Sequence, residues 1–325
     1  MTHPPTAARV DLLAHADWSK RPGKRWLARA VRTADGRYLA HAPEPVAEAA
    51  TLLDRLRAAA GPRGRVLVGF DFPLGLPLAY ARRVGIDEFI AALPRLGQGS
   101  WHTFYQVAER PDQISVRRPF YPQRPGGTLR QHLLEGLGLR EWADLLRYCE
   151  RARPGRRAAA PLFYTMGAQQ VGKAAISGWQ EVLAPALQKG VLLWPFQGSL
   201  FELLRPGLTV VAETYPAEVY EWLGIAFRPG KVGKGDRTAR RQRAAALFRW
   251  AERRSVQLSP ALAEAIHAGF PADRGRDDGF DAAVGLFGLL EVILGYRPAG
   301  EPADADIRAI EGWILGRDPD GVSPA

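Results

Sequence analysis

Three apolar runs that each end on an acid constrain this chain most. Val10–Ala16 ends at Asp17, Val66–Phe70 ends at Asp71, and Leu208–Ala212 ends at Glu213. Short apolar runs bounded by turn residues suit strands. Between the first two, Arg25–Val31 alternates around Trp26, and Tyr38–His41 forms a further short run. Pro and Gly between Ser19 and Gly23 mark one turn, and Asp35-Gly36 is a favoured hairpin dipeptide. Pro45–Ala60 then spaces Val46, Ala49, Leu52, Leu53 and Leu56 as a helix does. Three strands in hairpin succession, a helix and another strand predict an α/β fold with a mixed sheet.

The rest of the chain reads less evenly. Residues 78–207 are expected as a large insertion within one domain that spans 1–325. It carries helical stretches at Asp87–Leu93, Leu129–Leu137 and Glu141–Arg151. Short strands, Leu162–Thr165 and Val191–Trp194, flank a helix over Ala174–Gln188. Beyond Glu213, helices are predicted at Pro216–Leu223, Asp236–Arg254, Pro260–His267 and Asp278–Leu294, with a terminal one near Ala305–Leu315. A chain of 325 residues can bury a full core without disulfides or metals as staples.

The acids at the strand ends carry the chemistry. Carboxyl ends of parallel strands line up along one sheet edge, where sites form. Asp277, Asp278 and Asp281 open an otherwise apolar helix, and spacings of three and four place them on one face. An Asp before a turn is most often a turn former, and Asp277 and Asp278 suit N-capping. Asp281 is different: Ala282-Ala283-Val284 follow it on an apolar face, where a carboxylate needs a partner. Two such charges 4 Å apart cost about 4 kcal/mol at an effective dielectric of 20. Hard divalent cations relieve that repulsion, and magnesium is the usual one.

Four stretches carry a family resemblance. They are Ala16-Asp17-Trp18-Ser19, the run from Gly69 to Pro77, Glu213-Thr214-Tyr215-Pro216-Ala217-Glu218, and Asp277-Asp278-Gly279-Phe280-Asp281-Ala282. Their order and spacing resemble the domain-of-unknown-function family 429, predicted RNase H-like nucleases. Gly167–Gly172 and Trp194-Pro195-Phe196 resemble its longer members. The resemblance implies a five-stranded mixed sheet, three antiparallel strands first, with helices on both faces. It also implies two Mg2+ or Mn2+ ions that hydrolyse phosphodiesters. Carried over, Asp17 would bridge the ions, Asp71, Asp278 and Asp281 would be terminal ligands, and Glu213 a ligand or general base.

Charge agrees with a polyanionic partner. There are 44 basic against 34 acidic residues, a formal +10. Only six of the basic residues are Lys and no Asn occurs, a skew that biased coding can produce. Location is more telling: residues 228–254 hold ten basic residues against Asp236 and Glu252. Lys231, Lys234, Arg237, Arg240 and Arg241 are therefore expected to bind the phosphates of a nucleic acid. A solvated helix face is the plain alternative.

Other classes recede. A single cysteine, Cys149, excludes an internal disulfide framework and suits a reducing cytoplasm. No signal-peptide core opens the chain and no apolar run approaches a membrane span, so a soluble cytoplasmic protein is expected. Gly167–Ala174 nearly matches a phosphate-binding loop, but Ala174 replaces the metal-binding hydroxyl. Two alternatives to a nuclease stay open: a non-catalytic nucleic-acid binder on the same fold, and an enzyme using that loop on a small phosphorylated substrate.

Overall fold

The computed structural model describes residues 9–122, 130–153, 156–165, 171–227, 232–271 and 277–319. The chain is α/β with a mixed sheet of eight strands where five were expected. In chain order they are β1 (Leu12–Asp17), β2 (Trp26–Arg32), β3 (Tyr38–Ala40), β4 (Glu44–Pro45), β5 (Val66–Phe70), β6 (Leu192–Leu193), β7 (Thr209–Glu213) and β8 (Val256–Leu258). The surplus strands β4, β6 and β8 have two or three residues, too few to show a period of two.

The chain divides into two compact units, Met1–Asp71 with Leu200–Ala299, and Phe72–Ser199 with Gly300–Ala325. Within the first, the strand path is β7-β5-β1-β2-β3-β8, with β4 on β2. β1 runs antiparallel to β2 and parallel to β5, and β5 runs parallel to β7. Every residue of β5 and β7 is buried, as are the first five of β1. That explains why these strands read as continuous apolar runs. The parallel pairs bring Ala16, Phe70 and Glu213 into one register at the carboxyl ends.

The Asp278–Ile293 helix is buried from Phe280 to its end and packs on β1 and β2. Being apolar all round, it can only be an interior helix. Its approach to the sheet is set by glycine. A Cβ at Gly285 would lie 2.2 Å from the His15 ring, and one at Gly69 would lie 2.7 Å from Thr214. The fully buried His15 ring pairs through Nε2 with Thr214 Oγ1 at 2.8 Å. Burial lowers its pKa to about 3, so the imidazole is neutral.

The predicted Asp236–Arg254 helix is broken into Arg237–Arg241 and Ala244–Arg253. Asp236 caps the first piece by accepting from the Ala239 N–H at 2.7 Å.

The second unit holds most of the expected 78–207 insertion and adds the residues from Gly300 onward. Its core is aromatic: Trp179 packs on Phe89 and Phe104, and its ring N–H donates to the Pro73 carbonyl at 2.8 Å. The Ala174–Gln188 helix is present and begins earlier, at Val171, passing through a π-type turn at Trp179–Leu183. Glu141–Arg151 forms two short 3-10 turns rather than a helix, and the predicted terminal helix is a single wide turn, Ile307–Glu311.

Buried Arg147 organises this unit. Its guanidinium donates to Glu150 at 2.9 Å and to the carbonyls of Leu74 and Glu311 at 3.0 and 3.1 Å. The Glu311 carboxylate accepts from the N–H groups of Leu78 and Tyr148 at 2.9 and 2.5 Å. Among the described residues, no helix is long and apolar enough to cross a membrane.

Candidate functional site

The site grows from the parallel pairing. β1 delivers Asp17 at its last position, and Asp71 follows one residue after β5. The Trp18 backbone N–H donates to Asp71 Oδ1 at 2.7 Å, fixing the second acid beside the first. Asp71 and Asp17 also share a side-chain hydrogen bond. Two carboxyl groups can do so only when one holds a proton. Burial and the neighbouring Asp281 charge push Asp71 up to about 7, against the Trp18 and Asp17 hydrogen bonds. Burial also raises Asp17 well above the ordinary carboxylate range, helped by the charges of Asp71, Asp281 and Asp278.

The buried helix supplies the remaining acids. Asp281 is buried, with 5 % of its surface exposed. Its Oδ1 accepts from the Tyr220 hydroxyl, and its Oδ2 accepts from the Lys234 ammonium. Lys234 also reaches Asp277 Oδ2 at 3.3 Å. Burial opposes that ammonium, but Asp281, Asp277 and Asp17 outweigh it and raise its pKa. Burial likewise raises Asp281. Asp278 is half-buried and raised by burial and by Asp277, with Lys24 and Lys234 opposing. Its Oδ2 is buried with no hydrogen-bond partner.

The expected residues therefore separate into groups. Asp17 feels the charges of Asp71, Asp281 and Asp278. Glu213 is buried at the end of β7, but it shares the register of Phe70 and Ala16. Side chains alternate along a strand, so that register sends it to the other side of the sheet from Asp17. Lys234 sits among the carboxylates rather than waiting for a phosphate. Lys231 lies outside the described residues, as do Gly167–Gln170 of the phosphate-loop look-alike.

The basic helix is also redistributed. Arg240 is buried and donates to the carbonyls of Gly269, Phe270 and Lys234. Arg237 is exposed and donates to the Ala268 carbonyl at 2.7 Å, while Arg241 is exposed. Tyr220, Asp277 as a Lys234 partner, and the Trp18 N–H are site members that the sequence did not single out. Tyr220 had no local signal, since its partner is 61 positions away.

A hard divalent cation fits the donor chemistry of this edge. The ligating atoms on offer are carboxylate oxygens, acid exceeds base, and one Asp278 oxygen is buried without a partner. As they stand, no three His, Cys, Asp or Glu side chains among the described residues are grouped to hold a metal ion. Asp281 and Asp277 are drawn to the Lys234 ammonium instead. No family model matches the chain, and no curated protein or solved structure matches it either.

Proposed function

We propose that this chain is a divalent-metal-dependent hydrolase of phosphodiester bonds in nucleic acid, of the RNase H-like kind its motifs resemble. The observation that carries the reading is geometric: acids come from three separate elements, Asp71 being held beside Asp17 by the Trp18 N–H, while the buried helix adds Asp281 and Asp278, one of whose oxygens is buried without a partner. Perturbed acids gathered in this way are a mark of functional sites. Asp17, Asp71, Asp278 and Asp281 would hold Mg2+ or Mn2+, with two ions expected. Such ions activate a water and stabilise the leaving oxygen of an in-line displacement.

The chain's own groups set the acids for that task. The Trp18 N–H orients Asp71, and the Tyr220 hydroxyl orients Asp281. Lys234 neutralises part of the acidic charge within the protein itself. Glu213, on the other side of the sheet, is left out of the ligand set. A reducing, cytoplasmic setting belongs to the reading, since the one cysteine, Cys149, is a buried thiol.

The test is hydrolysis by the purified full chain with Mg2+ or Mn2+. Substrates would be single-stranded, duplex, hybrid and branched nucleic acids, alongside the small diester bis(p-nitrophenyl) phosphate. Asp17→Asn should lower the rate by at least about 10²-fold, the scale of losing charge stabilisation at the reacting centre. No cleavage of any substrate with either ion would overturn the proposal. Salt-sensitive binding without cleavage would point to the non-catalytic alternative.

A further inference from the structure

The turn that joins β1 to β2 leaves from the end of β1 that carries Asp17, and only its Trp18 N–H has so far been given a task, on Asp71. It holds Lys20, Arg21, Lys24 and Arg25 within six residues. The structure divides them. Arg25 is buried, lies over the Trp18 ring at 4.1 Å, and donates to the Ser19 carbonyl at 2.6 Å. Trp18 is itself tied to Asp71. The Arg21 N–H donates to Ser19 Oγ at 3.2 Å, so the turn is braced from within.

Lys20, Arg21 and Lys24 are exposed, and none has an ion-pair partner among the described residues. They follow Asp17 within seven residues, on a turn whose Trp18 N–H is bonded to Asp71. Of the cations expected on the basic helix, Arg241 is exposed, but the other two are engaged. Arg240 is buried against three carbonyls, and Arg237 is engaged with Ala268.

Three solvent-facing cations on a braced turn beside a carboxylate cluster fit an extended polyanion. One phosphate would approach the acids with metal, and its neighbours would meet the cations.

We propose that Lys20, Arg21 and Lys24 bind backbone phosphates of a nucleic-acid strand whose reacting phosphodiester lies at the Asp17–Asp71–Asp281 cluster. The inference rests on the hydrolase reading for the nature of its occupant. It assigns strand positioning to the β1–β2 turn in place of the Arg237–Arg241 helix. Its contacts are to backbone phosphates, so it expects little dependence on base sequence.

The experiment is metal-free binding of a fluorescent single strand of roughly 20 nucleotides, DNA and RNA in turn, read by anisotropy across a salt series. Replacing Lys20→Gln, Arg21→Gln and Lys24→Gln together should remove about 2 from the slope of log affinity against log salt. That is three lost phosphate contacts at about 0.7 each. Affinity at about 50 mM salt should fall at least tenfold. The charge-keeping set Lys20→Arg, Arg21→Lys and Lys24→Arg should restore the slope, which a purely structural role would not predict. Replacing Arg237→Gln with Arg241→Gln should lower it by less than the turn variant does, and an equal or larger fall would overturn the assignment to the turn.

A wild-type slope in the neutral triple variant would overturn the proposal. So would a wild-type chain that binds anionic phosphatidylserine vesicles but no nucleic acid. Hydrolysis of bis(p-nitrophenyl) phosphate separates the two readings, since its absence would count against the acids and a retained salt slope only against the turn.

Discussion

The chain contains two buried clusters of charge that solve the same problem in opposite ways. In the second unit, Arg147 meets Glu150 side to side, and the Glu311 carboxylate accepts two backbone N–H groups. All four carboxylate oxygens have a donor. In the first unit, five aspartates, Asp17, Asp71, Asp277, Asp278 and Asp281, share the Lys234 ammonium, with the Lys24 charge acting on Asp278. One Asp278 oxygen has no partner, and Asp17, Asp71, Asp278 and Asp281 are all raised. Burial raises Glu311 as well, but there every carboxylate oxygen has its donor. The difference between the clusters is the excess of acid over donors in the first unit.

The largest expected effect breaks the matched cluster. Arg147→Met would leave Glu150 buried without its cation and should cost about 3–5 kcal/mol, read as a fall in thermal or urea midpoint. A loss below about 1 kcal/mol would mean that the pairing is not what holds this unit together.

The acid cluster should respond with the opposite sign. Asp71 has its folded pKa raised to about 7 from an ordinary 3.8. Its protonated form therefore stabilises the fold below the unfolded value, and that contribution is lost as pH rises through about 7. Asp71→Asn removes the loss. Metal-free, the variant should match the wild type near pH 4 and exceed it by about 1–3 kcal/mol at pH 8. Equal stability at both pH values would show that the acids are not in conflict, and the contrast between the clusters would fail.

The smallest effect concerns a buried polar pair with no charge. Thr214→Val removes the hydroxyl that meets neutral His15 and should cost about 1 kcal/mol, with little change between pH 7 and 9. A clear pH dependence there would mean that the imidazole carries a proton after all.

Much of the frame was legible because burial leaves a direct mark on sequence. β1, β5 and β7 are apolar on both faces, and the Asp278–Ile293 helix is apolar all round. Asp281 stood out for the same reason, as a carboxylate among residues that exclude water. What was not legible depends on pairing across distance. Glu213 and Asp71 both read as acids at strand ends, but only the register shows Glu213 level with Phe70 and turned away. Arg240 read as a surface cation because the carbonyls that claim it lie about 30 residues later. β4, β6 and β8 are too short to announce themselves, and Pro45 argues against a strand in isolation.

The bare backbone at Gly285 has a consequence for chemistry as well as packing. Asp281 lies one helical turn before it, on a helix whose depth is fixed where glycine meets the His15 ring. A single methyl group at 285 would act as a shim, lifting the helix and withdrawing Asp281 from Asp17. The working gap between the acids is thus gauged by a residue that has no side chain, one turn along the helix from the acid it positions.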